Sequence, residues 1–158
     1  MSRNIMAKCF VVIAFAMAIV SVPSAYAQHC SFAGAAGNYG FSDSGTIVGV
    51  GPRAAVGSLS FNAAGQISGQ VTASLNGGIS QATLSGTYAV NPDCSGTTTF
   101  TELDQNGSPV LTATVAIAWD DNMREARFLF TSVVLANGTP LATAINGAAR
   151  KMVLKSGN

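Results

Sequence analysis

Hydrolytic chemistry needs a base beside a nucleophile, and the sequence offers a single histidine, His29. It lies near a candidate processing point, where chain order is poor, and reads as a solvated terminal side chain. A zinc site needs three or four nitrogen or sulfur ligands, and one histidine with cysteines outside any C-x-x-C spacing does not supply them. The acidic residues Asp43, Asp93, Glu102, Asp104, Asp120, Asp121 and Glu125 remain. Paired carboxylates cleave glycosidic bonds, and Glu102 and Asp104 alternate onto one face close to a turn. The ordinary explanation is solvated carboxylates at turns and edges. The Asp120-Asp121 turn suits a hard cation in ligand type, but its spacing matches no calcium loop. Gly49-Val50-Gly51-Pro52-Arg53 looks like half of a phosphate loop. A strand follows it instead of a helix N-terminus, and Pro52 lacks a donor, so it reads as a flexible β-connection. Glu125 and Arg127 share a face as an exposed pair of small energetic weight. This reading assigns no catalytic, cofactor-binding or metal-ligating residue, and leans away from an enzyme.

Cysteine usage bears on compartment. Arg3 and Lys8 precede an uncharged apolar run from Phe10 to Val20. Pro23 breaks the run, and Ala25-Tyr26-Ala27 has the small-x-small pattern of a signal-peptidase site. The expectation is a signal peptide over residues 1–27, export to the periplasm or medium, and a β domain over residues 28–158. The apolar run is too short for a comfortable span, so no stable membrane insertion is expected after cleavage. Cleavage removes Arg3 and Lys8, leaving six basic residues against seven acidic ones. Cys30 and Cys94 then form an even pair in an oxidising compartment, and a Cys30–Cys94 disulfide is expected.

Positioning elements come from periodicity. Thr, Val, Ser and Gly dominate, and apolar residues alternate with small polar ones at period two. Ile67, Gly69, Val71, Ala73 and Leu75 share one face; so do Leu111, Ala113, Val115, Ile117 and Trp119. Ala126, Phe128, Phe130 and Ser132 form a third such set. Turn signals recur, including Asn76-Gly77-Gly78, Asn106-Gly107 and Asn137-Gly138, whose Asn-Gly pairs supply positive φ. Predicted strands cover 38–49, 55–62, 67–75, 79–90, 97–104, 110–118, 123–135 and 139–153. The last has a helix-compatible start at Leu141–Ile145. Consecutive short hairpins predict an all-β, antiparallel up-and-down meander of about eight strands. Closure into a barrel hides both edges; the alternative is a two-sheet β-sandwich.

The segments Gly37-Asn38-Tyr39-Gly40-Phe41-Ser42, Ala55–Gly65 and Leu84–Thr97, the last with Gly86-Thr87-Tyr88-Ala89-Val90-Asn91-Pro92-Asp93-Cys94, resemble a group of small exported bacterial proteins. The resemblance covers most of the chain after the leader and transfers no activity. In architecture the meander is similar to calycin-type (lipocalin-like) barrels and the allene oxide cyclase barrel, which hold apolar ligands. Architecture does not fix function.

The chain has 9% charged residues and a net charge of +1. That excludes an electrostatically driven nucleic-acid binder and a disordered charged tail. The leading expectation is an exported barrel that binds a small apolar ligand. Its candidate lining is Val71, Leu75, Leu84, Tyr88, Leu111, Val115, Ile117, Trp119, Phe128 and Phe130. Small inward residues such as Gly69, Ala73, Ala113 and Ala126 argue for free interior space, with Trp119 near one mouth. The alternatives are a surface-interaction protein with a filled core, whose protein partner the sequence does not name, and a cavity-shaped isomerase or cyclase. No cofactor is expected.

Overall fold

The structure is a computed structural model that describes residues 30–153. The expected signal segment, with Cys9 and His29, lies outside the described residues. A one-turn helix α1 (Phe32–Ala35) leads into eight strands. They are β1 (Gly37–Ile47), β2 (Gly51–Phe61), β3 (Gln66–Leu75), β4 (Gly78–Val90), β5 (Ser95–Leu103), β6 (Pro109–Asp120), β7 (Glu125–Leu135) and β8 (Thr143–Lys151). Each pairs antiparallel with the next, and β8 pairs back onto β1. The closed barrel is the expected up-and-down meander, and the sandwich alternative is set aside.

Turn chemistry fixes the hairpins. Asn76 and Gly77 both have positive φ, 49° and 87°, the conformation that suits a two-residue hairpin between twisted strands. Elsewhere side chains hold the turn: the Asp104 carboxylate accepts from the backbone N–H of Asn106 and Ser108. Asp104 therefore sits beyond β5 in the turn and does not share a strand face with Glu102. β2 begins at Gly51, so the expected flexible connection shrinks to residues 48–50. The segment before β8 is extended, not helical: the Leu141 N–H donates to the Val133 carbonyl. In β7 the expected inward face also changes. Val115 pairs with Phe130 but Thr114 pairs with Ser132, which leaves Thr131 as a bulge. Ser132 consequently faces out and Val133 turns in.

Alternation produces two apolar cores inside the barrel. One, including Ile47, Leu111, Val133 and Ile145, fills the end bounded by the β1–β2, β3–β4, β5–β6 and β7–β8 connections, here called the loop end. The other, including Tyr39, Phe61, Tyr88, Trp119 and Met123, fills the opposite end. Phe41, Leu59 and Phe128 pack against both.

The second end is plugged. Ser31 caps α1 by accepting from the Gly34 N–H, and Phe32 meets Tyr88 edge-on at 5.2 Å. The Tyr39 hydroxyl lies 2.9 Å from the Ala35 carbonyl and 2.7 Å from that of Met123, and donates into this pair of acceptors. The Lys151 ammonium donates to the Gly34 carbonyl at 3.0 Å. Cys30 and Cys94 are disulfide-bonded, as expected, with Cα atoms 5.0 Å apart. The bridge joins the chain just before α1 to the β4–β5 turn.

Candidate functional site

Small inward residues do not leave the lumen open, contrary to expectation. A Cβ at Gly57 would strike the Phe41 ring and the Gln70 carbonyl; one at Gly147 would strike the Phe128 ring and the Ser42 carbonyl. The aromatic rings lie flat across the glycines of neighbouring strands and occupy the volume that those side chains would have taken. What remains between the two cores is a chamber of about 40 Å³. A cavity that takes benzene is roughly 150 Å³, and one water needs about 10–15 Å³.

Of the ten candidate lining residues, Val71, Leu84, Val115, Ile117, Phe128 and Phe130 face this chamber. Leu75 and Leu111 pack in the loop-end core. Tyr88 and Trp119 belong to the plugged-end core, so Trp119 lies beneath the plug and not at an accessible mouth. Its indole N–H is buried without a partner.

The polar part of the wall is what the sequence reading missed. Asp43 on β1, Arg53 on β2 and Glu102 on β5 all point inward and are buried. Arg53 Nε lies 3.1 Å from Asp43 Oδ1 and Nη2 lies 3.4 Å from Oδ2, so the guanidinium fork grips Asp43 with two prongs. Glu102 Oε1 is 3.6 Å from Arg53 Nη2, an ion pair at longer range. The guanidinium also sits 5.7 Å from the Phe130 ring centre. Burial pushes the Glu102 carboxyl above its usual range; the Arg53 charge works against that, and the Asp43 charge adds to it. The expectation of solvated carboxylates thus fails at Asp43 and Glu102. Thr98, only 4% exposed, lines the same chamber with a hydroxyl that has no hydrogen-bond partner.

Alternation carried the signal for all of these. Tyr39, Phe41 and Asp43 fall on one face of β1, and Thr98, Phe100 and Glu102 on one face of β5. An aromatic residue two positions away marks each acid as inward. The Gly-Pro pair at the start of β2 obscured Arg53, by making its strand look shorter.

Exposed charges are elsewhere. Glu125 pairs with Arg150 and Arg127 with Asp120, in place of the expected Glu125–Arg127 pair. With Asp93, Arg124 and Lys151 these groups surround the plugged end. Among the described residues, Asp104 is the one charged side chain of the loop end. That rim instead exposes Val48, Val50, Ile79 and Val110.

No protein-family model matches the sequence, and no curated protein matches it. Solved structures do match in shape. EF1p2_mFAP2b bound to DFHBI aligns with a TM-score of 0.55 at 11% identity, over 76% of this chain and 95% of its own. A redesigned β-barrel, mFAP1, bound to DFHBI, aligns with a TM-score of 0.51 at 12% identity, over 77% and 98%. An S-type phycobiliprotein lyase from Guillardia theta aligns at 0.45 and 10% identity, over 82% and 97%. At these identities the likeness is one of fold: a small barrel of the kind that encloses ligands. No helix among the described residues is long and apolar enough to cross a membrane.

Proposed function

We propose that this is an exported barrel whose role is to bind a very small molecule in the lumen. The observation that carries the reading is the chamber, where apolar and aromatic walls meet a buried cluster of ionisable groups and an unpartnered hydroxyl. Concave apolar sites with a few converging polar groups are the usual form of a small-molecule site. The two barrels of similar shape bound to DFHBI support a lumen as the place of binding. The chamber is far smaller than a drug-sized pocket, so the ligand, or the part of it that enters, has only a few non-hydrogen atoms. The apolar ligand expected from sequence becomes a ligand with a polar end. The disulfide supports an oxidising compartment and hence export. Methyl NMR of Val71, Leu84 and Val115, titrated with methanol, xenon and benzene, tests the reading. Saturable shifts with the two small probes and none with benzene are expected. Unmoved signals throughout would overturn it.

A second reading, an interaction protein, draws on the loop end. Val48 is 65% exposed and Ile79 70%, on a rim nearly free of charge. Patches of this kind on a surface mark contact sites. Self-association lost in the Val48→Ser, Ile79→Ser variant, with no lumen binding, would favour it.

A further inference from the structure

The same chamber bears on the charge of its ligand, an inference that rests on the lumen reading. Asp43, Arg53 and Glu102 carry two formal negative charges and one positive. Arg53 directs both prongs at Asp43, at 3.1 and 3.4 Å, and reaches Glu102 only at 3.6 Å. Glu102 is therefore the under-partnered member of a buried set, and a buried carboxylate needs either a proton or a cation. On the same inward face of β5, four positions away, the Thr98 hydroxyl has no partner. The strand rise separates the two Cα atoms by roughly 13 Å. Oxygen atoms thus stand at both ends of the chamber, with Phe100 and Phe130 along its wall. The Arg53 donors are already engaged.

We infer that the chamber takes a small primary ammonium ion, its charged head on the Glu102 carboxylate and its carbon against the rings. An ammonium group brings three N–H donors and no acceptor, which suits walls that offer oxygen. Aromatic faces favour a desolvated cation. The size of the chamber restricts the ion to one or two carbons. Burial holds the Glu102 carboxyl towards its protonated form, and a bound cation favours ionisation, so binding releases a proton and tightens as pH rises. The titratable groups that face Glu102 are Asp43 from β1 and Arg53 from β2.

The test is methyl NMR of the folded chain titrated with methylammonium chloride. Methanol serves as the neutral isostere, tetramethylammonium as the oversized cation and potassium chloride as the ionic control. Saturable shifts at Val71, Leu84 and Val115 with methylammonium alone among the salts are expected. Glu102→Gln should weaken the binding by at least about tenfold while leaving the spectrum of the free protein folded. On the unaltered protein, methylammonium affinity should rise with pH and methanol affinity should not. If methanol binds as well as methylammonium and Glu102→Gln changes neither, the lumen reading stands and the ammonium assignment falls. If neither binds, both fall. Equal shifts with tetramethylammonium or potassium would show a general ionic effect and overturn the assignment.

Discussion

Arg53 and Asp43 face each other diagonally inside the β1–β2 hairpin, ten residues apart in sequence, with two donor–acceptor contacts of 3.1 and 3.4 Å. Gly45 and not Asp43 stands directly opposite Arg53 in the register, so the long arginine leans along the strand to reach its partner. Removing one member of a buried ion pair leaves the other uncompensated, which is more damaging than removing both. Arg53→Met should cost about 3–5 kcal/mol, measured by urea denaturation. Adding Asp43→Asn and Glu102→Gln to Arg53→Met should recover most of that loss. A single variant as stable as the parent would contradict the buried geometry.

The pH dependence of stability should carry the imprint of Glu102. Its carboxyl is raised in the folded state by burial, so the folded protein holds the proton more tightly than the unfolded chain does. Stability from this group is complete below the ordinary glutamate range. It is lost as pH rises through the raised folded value. Glu102→Gln should remove this decline and leave the acid side of the curve to the other carboxylates. Chemical denaturation across a pH series checks it; an unchanged slope in the variant would refute it.

The disulfide closes a loop spanning a sequence separation of 64. In the chain-entropy description a loop of that size stabilises by about 4 kcal/mol. Replacing both Cys30 and Cys94 by Ser should lower the melting midpoint and loosen α1 first. Hydrogen exchange should quicken at Ala35 and Ala36, whose N–H groups donate to Ser31 and Phe32, before it quickens in the strands. Uniform acceleration across the barrel would argue against a local plug.

Tyr39 predicts an alkaline limit. Burial, reinforced by nearby Tyr88, pushes its hydroxyl up to about 12. The folded-state value is raised, so the contribution is present below the usual tyrosine range and disappears as pH climbs through the raised value. Tyr39→Phe leaves the Ala35 and Met123 carbonyls without this donor and should cost about 1–3 kcal/mol at neutral pH. Ultraviolet titration of the phenolate, compared with Tyr39→Phe, locates the transition. Ionisation of Tyr39 at an ordinary tyrosine pH would show that the plug is open.

The barrel was legible because its rules are local. Ile67 to Leu75 and Leu111 to Trp119 alternate without interruption, and the Asn-Gly pairs fall between strands; short hairpins then leave closure as the way to hide both edges. The bulge at Thr131 was not legible, since one extra residue changes no composition. The filled lumen was hidden for a related reason: whether Gly57 and Gly147 mean space or a neighbour's ring depends on register, which sets Phe41 opposite Gly57 and Phe128 opposite Gly147. Half of the site was visible as apolar lining. The other half was misread because Asp43 and Glu102 were judged as acids, and only their strand parity, shared with Phe41 and Phe100, says that they are inside.

The closing seam between β1 and β8 brings Tyr39 beside Lys151, at opposite limits of the strand sequence. Every other pairing joins neighbours along the chain, so hairpins can zip in order, but this seam waits for the last strand to arrive. Loop closure over so long a separation is the slow step in forming such a topology. Until then β1 presents a bare edge of unpaired amides and carbonyls, which is the feature most prone to pairing with another chain. A nascent or translocating chain would therefore be vulnerable until its final dozen or so residues emerge. Truncation within β8 should abolish a soluble product rather than merely weaken it.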